Sequence, residues 1–156
     1  RILQLKTYPV GQGSDQFYSF AQNIEPIGAI IGSLSDELRK HAEDKTMLVL
    51  PEGAMLNYLA RKPSPVPTLN FFGAMIGEGR EQELVNELQR NPPDLVVLLS
   101  RDLREYGIER YGEAVGKGKL LLQWATENYR VAGSLGGDPL DCRQRGAVVL
   151  KLKTGK

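Results

Sequence analysis

The sequence predicts a small layered α/β sandwich: a mixed sheet with parallel β-α-β crossovers and a C-terminal antiparallel pair, with helices packed on the sheet. Three observations carry this. "TMLVLP" at 46–51 and "DLVVLLS" at 94–100 are short apolar runs bounded by proline, aspartate or a charged loop. Such unbroken runs suit strands covered on both faces. Between and around them lie segments with apolar residues at helical spacing. Finally, "VAGSL" and "AVVLKL" have only the polar stretch "GGDPLDCRQR" between them, too short for a crossover helix, so they pair antiparallel.

Taken in order, "RILQLKTY" alternates weakly through Ile2, Leu3 and Leu5 and is expected to open the fold with an edge strand. "FYSFAQNIEP" fits extended chain or a helix start equally well. From Pro26, the apolar residues Ile27, Ile30, Ile31, Leu34 and Leu38 mark one helical face, opposite Asp36, Glu37, Arg39 and Lys40, and this helix should end near Asp44. After the first buried strand, "GAMLNYLARK" predicts a short helix with Met55, Leu56 and Leu59 inward. The proline-stiffened "PSPVPTLNFF" should return to the core at Leu69, Phe71 and Phe72. "GREQELVNELQRN" is a helix with Leu84, Val85 and Leu88 on its stripe, stopped by Pro92. "RDLREYGIERYGEAVG" reads as loop with a helical turn, and "KLLLQWATENYR" as a last helix burying Leu121, Trp124 and Ala125.

At 156 residues the chain fits one soluble domain with a real core. Twenty basic residues against nineteen acidic give a formal charge of +1, which argues against a nucleic-acid partner. The patches "GKGK" at 116–119 and "KLKTGK" at 151–156 read as solubilising surface. One cysteine, Cys142, rules out an internal disulfide, and one histidine, His41, a His-rich metal site. His41 sits in "RKHAED", where a cation suits a helix C-terminus. No stretch approaches a membrane span and no signal peptide is visible. Because the chain begins at Arg1 rather than methionine, a piece of a larger protein is expected.

No cofactor loop survives inspection. "GQGSDQ" at 11–16 has two glycines of the dinucleotide pattern but Gln16 in place of the third, and "GKGKLLL" has no Ser or Thr after Gly-Lys. No serine lies in a nucleophile elbow. Asp138 and Asp141 share a Gly/Pro turn without a third acidic ligand, so no metal site is assigned. Asp94, entering its strand from the far end, reads as a turn former. Glu52 is more pointed: it stands at the carboxyl end of a strand, where open α/β sheets favour ligands. It can serve as a base or hydroxyl acceptor there, or accept the free N–H groups of the next helix, and the structural role is preferred. Tyr106, Tyr111 and Tyr129 lie near Trp124 and beside Arg104, Arg110 and Arg130, a set that suits either a carbohydrate or headgroup surface or the rim of a small core, and the core is preferred.

Three segments in order, "LVLPEGAMLNYLARKPSPVPTLNFF", "ELQRNPPDLVVLLSRDLREYG" and "YGEAVGKGKLLLQWATENYR", together resemble a known family. They are similar to the soluble C-terminal region of bacterial membrane glycosyltransferases of the dolichyl-phosphate-mannose–protein mannosyltransferase type. The resemblance covers roughly residues 46–132. It rests on Leu50-Pro51-Glu52-Gly53, the Arg61/Pro63/Pro65 exit, Pro92-Pro93-Asp94, Glu105-Tyr106-Gly107 with Tyr111-Gly112, and Trp124 with Asn128-Tyr129. The start of "GKGKLLL" departs from the more acidic or arginine-containing helix start expected of that family. The resemblance implies that a polytopic membrane domain upstream carries the chemistry, sugar transfer from a polyprenyl-phosphate donor, and that no catalytic residue lies in this chain. It implies an extracytoplasmic, periplasmic module. Its partners would be its own transmembrane domain and, at a candidate binding surface of Glu52, Asn57, Arg61, Tyr106, Tyr111 and Tyr129, the donor or acceptor. Two other classes stay open. A free-standing α/β enzyme using Glu52 with Asp138 or Asp141 requires those carboxylates to converge with a raised pKa. An interaction domain docking through "PSPVPTLNFF" requires Phe71 and Phe72 exposed, and they are expected buried.

Overall fold

The computed structural model describes residues 3–73, 76 and 78–154. Its core is a four-stranded mixed sheet flanked by packed helices on both faces. The strands β3 (Met47–Leu50), β4 (Leu95–Leu99), β5 (Tyr129–Gly136) and β6 (Gly146–Leu152) lie in the order β3-β4-β6-β5. β3 and β4 run parallel, with Leu50 opposite Leu98, whereas β6 is antiparallel to both of its neighbours.

The unbroken apolar runs have the predicted cause. Leu48, Leu50, Val96 and Leu98 point into one core, while Met47, Val49, Leu95, Val97 and Leu99 point into the other. Period-2 alternation of side chains then requires every residue of both strands to be apolar. The first core is closed by α3 (Glu78–Arg90) through Leu84, Val85 and Leu88, and by α4 (Lys119–Asn128) through Leu121, Trp124 and Ala125. The second is closed by α1 (Ile27–Lys40) through Ile30, Ile31, Leu34 and Leu38, and by α2 (Ala54–Ala60) through Leu56 and Leu59. Each fully buried aliphatic contributes about 1.5–3 kcal/mol, so the nine strand residues anchor both layers.

Some elements differ from expectation. The N-terminal edge strand does not join the main sheet: residues 3–5 form a 3-10 turn, and β1 (Tyr8–Val10) pairs with β2 (Phe17–Ser19) as a separate antiparallel hairpin. Ile2 lies outside the described residues. Helix α1 stops at Lys40, and a turn closed by the Asp44 N–H on the His41 carbonyl leads into β3. Met55 points outward and is half exposed: with seven residues, α2 buries Leu56, Asn57, Leu59 and Ala60, and Met55 falls one position off that face. Leu69 is partly exposed too, because there the backbone rather than the side chain makes the contact, its carbonyl accepting the Gly53 N–H at 3.1 Å.

Candidate functional site

At the carboxyl ends of β3 and β4 the chain makes two comparable exits, and Glu52 and Arg101 are each the second residue past the strand. In-register parallel pairing brings these exits side by side, and the Glu52 carboxylate meets the Arg101 Nε at 3.2 Å. The corner is held by backbone: the Leu50–Pro51 bond is cis, the Pro51 carbonyl accepts the Phe71 N–H at 2.8 Å, and Glu52 bridges to Asn70. Gly53 is required by contact, not by conformation. Its φ is −119°, open to any residue, but an added Cβ would stand 2.5 Å from Asn57 Oδ1 and 2.9 Å from Val49 Cβ. Glu52 does not cap α2, as the preferred structural reading expected. Its carboxylate turns to Arg101, and the Gly53 N–H is taken by Leu69.

Beside the pair lies a cavity of about 260 Å³ with Ile27, Ile31, Met55 and Leu99 among its walls and Glu52 and Arg101 on its rim. It is an aliphatic trough with one self-neutralised ion pair, able to offer an acceptor and a donor to a polar ligand. Ser100, also on the wall, is not free to act as a nucleophile. Its hydroxyl donates to the Gly146 carbonyl at 2.9 Å and accepts the Gly146 N–H at 2.6 Å, tying β4 to β6.

The six residues of the candidate surface do not form one surface. Glu52 and Tyr106 both follow the strand exits, and half-exposed Tyr106 leans on Phe72 with ring centroids 5.0 Å apart. Arg61 lies at the opposite end of α2, where it stacks over Tyr58 at 4.4 Å and pairs with Asp15. The other three are core residues. Asn57 is buried and donates to the carbonyls of Met47 and Lys62, at 2.7 and 2.8 Å, which locks α2 to β3. Tyr111 donates to the Phe71 carbonyl at 2.9 Å and Tyr129 to the Pro93 carbonyl at 2.7 Å. Burial, and secondarily a nearby carboxylate, pushes both phenol pKa values up, so they remain neutral donors. An amphipathic ring with one buried hydrogen bond is a core staple, and single-sequence spacing cannot separate it from a sugar platform.

The carboxylates do not converge. Neither Asp138 nor Asp141 lines the cavity beside Glu52. Asp138 is tied to Arg110 Nη1 at 2.6 Å and to the Leu140 N–H, while Asp141 accepts the Arg143 N–H and the Gln144 amide. For Asp138, burial works to raise the pKa but Arg110 and the N–H outweigh it; for Asp141, the Arg143 N–H leads. Both end below the usual carboxylate value, the reverse of what an acid–base pair needs. Asp102 is likewise lowered, by the Arg104 guanidinium beside it. Phe71 and Phe72 are buried, so the proline loop offers no aromatic docking surface.

Two polar clusters lie at the other pole. A cavity of about 550 Å³ is bordered by Arg39, Lys45, Arg61 and Lys62. Its cations are largely occupied: Arg39 Nε donates to the Leu59 carbonyl, and the buried Lys62 ammonium donates to the carbonyls of His41 and Asp44. These cations close the C-terminal ends of α1 and α2, where the helix dipole favours positive charge. His41, Glu43 and Asp44 offer ligand atoms within 4.8 Å of one another, but Lys151 Nζ already sits 3.1 Å from the Asp44 carboxylate. A dication there would face an ammonium, and the cluster is an ion-pair network.

Sequence reasoning missed Arg101 and Glu81. The signal for Arg101 was positional, as the counterpart of Glu52 after a parallel strand. Glu81 also had a signal: it stands three, four and seven residues before Leu84, Val85 and Leu88, on the same helical stripe, and it is fully buried with them. Comparison with protein-family models, with curated proteins and with solved structures gives no match.

Proposed function

We propose that this chain is a non-catalytic, extracytoplasmic accessory domain of a bacterial membrane glycosyltransferase that transfers a sugar from a polyprenyl-phosphate donor. The observation that carries the reading is the state of the carboxylates around the strand exits. Glu52, Asp102 and Asp138 are each paired with an arginine, and Asp141 with an N–H and an amide. Asp102, Asp138 and Asp141 are held below the usual carboxylate range and organise loops, whereas a general acid near neutral pH needs its pKa raised. The resemblance in sequence adds to it, since the three matching segments are those that build β3, α2, β4 and α4.

In this reading the parent's transmembrane domain performs the transfer and this domain stands over it, with the Glu52–Arg101 trough and Tyr106 as the surface offered to the acceptor or the donor headgroup. The test is the reading frame that precedes Arg1. Several apolar spans of about 20 residues each, with acidic residues in the first external loop, are expected. A start codon just before Arg1 would remove the proposal.

A further inference from the structure

The ion pairs of this chain are not built alike. Arg104 grips Asp102 through two N–H groups, and Arg145 Nε donates to Glu25 at 2.9 Å. Arg101 and Glu52 only stand side by side. Their 3.2 Å approach sets charge against charge, and among the described residues neither side chain makes a hydrogen bond. The N–H groups of the guanidinium and both oxygens of a carboxylate that is only one-third exposed thus keep their hydrogen-bonding capacity. Charged groups partly withdrawn from water in this way favour a ligand that supplies the missing partners.

The rest of the trough sets the other half of that ligand. Ile27 and Ile31 of α1, Met55 and Leu56 of α2 and Leu99 of β4 form its walls. Ser100 commits its hydroxyl to Gly146, so a polar body would lose its water there without compensation, whereas an aliphatic one is favoured. At ~30 Å³ per water, the 260 Å³ cavity holds about nine waters, the size of a small molecule and too little for a peptide segment or a lipid.

We propose that the trough binds a free aliphatic α-amino acid of the leucine, isoleucine and valine class, with its carboxylate on Arg101, its ammonium on Glu52 and its side chain against Ile27, Ile31 and Met55. Charge selects this occupant. A lone anion would gain Arg101 but meet Glu52 beside it, and a lone cation would gain Glu52 but meet Arg101. A ligand carrying both charges on one carbon pairs with each group and leaves the site neutral. A peptide terminus carries only one of the two. The site also lies at the carboxyl ends of two parallel strands, where α/β sheets place ligands. This names the ligand class of the trough that the proposed role turns toward acceptor or headgroup, and it rests on that reading only in taking the trough as the domain's binding surface.

Titration of the isolated chain with leucine, followed by amide shifts in proton–nitrogen correlation spectra, tests this beside N-acetylleucine, leucinamide and glycine. The expected result is saturable shifts at Glu52–Met55 and Ser100–Arg101, with a Kd of about 1 mM or tighter. Each one-charge analogue, and glycine, should bind about tenfold more weakly or worse, and Glu52→Gln and Arg101→Gln should each weaken leucine by a similar factor. Failure of leucine to saturate the shifts overturns the proposal. So does any analogue that binds as tightly as leucine, or a leucine affinity unchanged in either variant. The parent enzyme takes no part, so a failed titration strikes this assignment alone, whereas a start codon just before Arg1 strikes the parent reading alone.

Discussion

Glu81 of α3 accepts the Leu120 N–H of α4 at 2.7 Å, so that a fully buried carboxylate closes the N-terminus of a different helix. It also accepts the N–H groups of Leu121, at 3.2 Å, and of Gly116. Helix N-termini leave several N–H groups without partners and favour negative charge, so one side chain here does the work of a cap and of a clamp between α3 and α4. Glu81→Ala should cost about 3 kcal/mol, because it strands buried donors that water cannot reach. Glu81→Gln keeps one acceptor and should cost less. Urea unfolding of the two variants checks the order; equal, small losses would show that the carboxylate is dispensable.

Gly118, which precedes α4, has φ +92°, and a Cβ there would fall 2.2 Å from the Tyr111 Cζ. Both the backbone conformation and the close approach exclude a side chain. Gly118→Ala should therefore destabilise by about 3 kcal/mol or more, or fail to fold. Gly79→Ala, where an added Cβ meets nothing within 4 Å, should be neutral or slightly stabilising. Thermal unfolding of the pair separates the two outcomes.

Asp94 clamps the start of β4 to the start of β3, accepting the N–H groups of Lys45 at 2.7 Å and Thr46 at 2.9 Å. Burial pushes its pKa up, but these N–H groups outweigh it and hold the carboxyl below the ordinary value of 3.8. A carboxyl depressed in the folded state contributes stability above its unfolded pKa, and that contribution is lost as pH falls through the folded value. The window therefore opens near pH 4 and extends below it. Asp94→Asn should lower stability at pH 7 by about 1–2 kcal/mol, with the difference shrinking toward pH 3. Parallel stability curves for the two proteins across that range would contradict this.

The Glu52–Arg101 pair is about one-third and one-half exposed, and exposed pairs contribute at most about 1 kcal/mol. Glu52→Gln and Arg101→Gln should thus leave the unfolding midpoint of the isolated chain nearly unchanged. If the trough meets acceptor or headgroup, the same substitutions should slow sugar transfer by the parent enzyme. A loss of several kcal/mol in the isolated chain would instead make the pair architectural.

The strands and helices of the sandwich were legible because hydrophobic burial is written locally. Two strands covered on both faces must be apolar throughout, and α1 and α3 each need one apolar stripe. The candidate surface was less legible. Tyr106, Tyr111 and Tyr129 have the same chemistry in the sequence, and only the fold decides that two of them reach buried carbonyls while the third stays half exposed. Met55 misled because a two-turn helix offers too few positions to fix its inward face. For Glu81 the spacing to Leu84, Val85 and Leu88 marks the inward face, but its partners lie 35 to 40 residues away and no local pattern names them.

The proposed role of this chain depends on where turnover resides. Purified chain and membranes carrying the parent protein should be given the same labelled polyprenyl-phosphate sugar and acceptor, and transfer measured in each. Transfer by the membranes alone, with none by the isolated chain, is the predicted result. Transfer by the isolated chain, abolished by Glu52→Gln, would contradict it and make the strand-exit corner an active site.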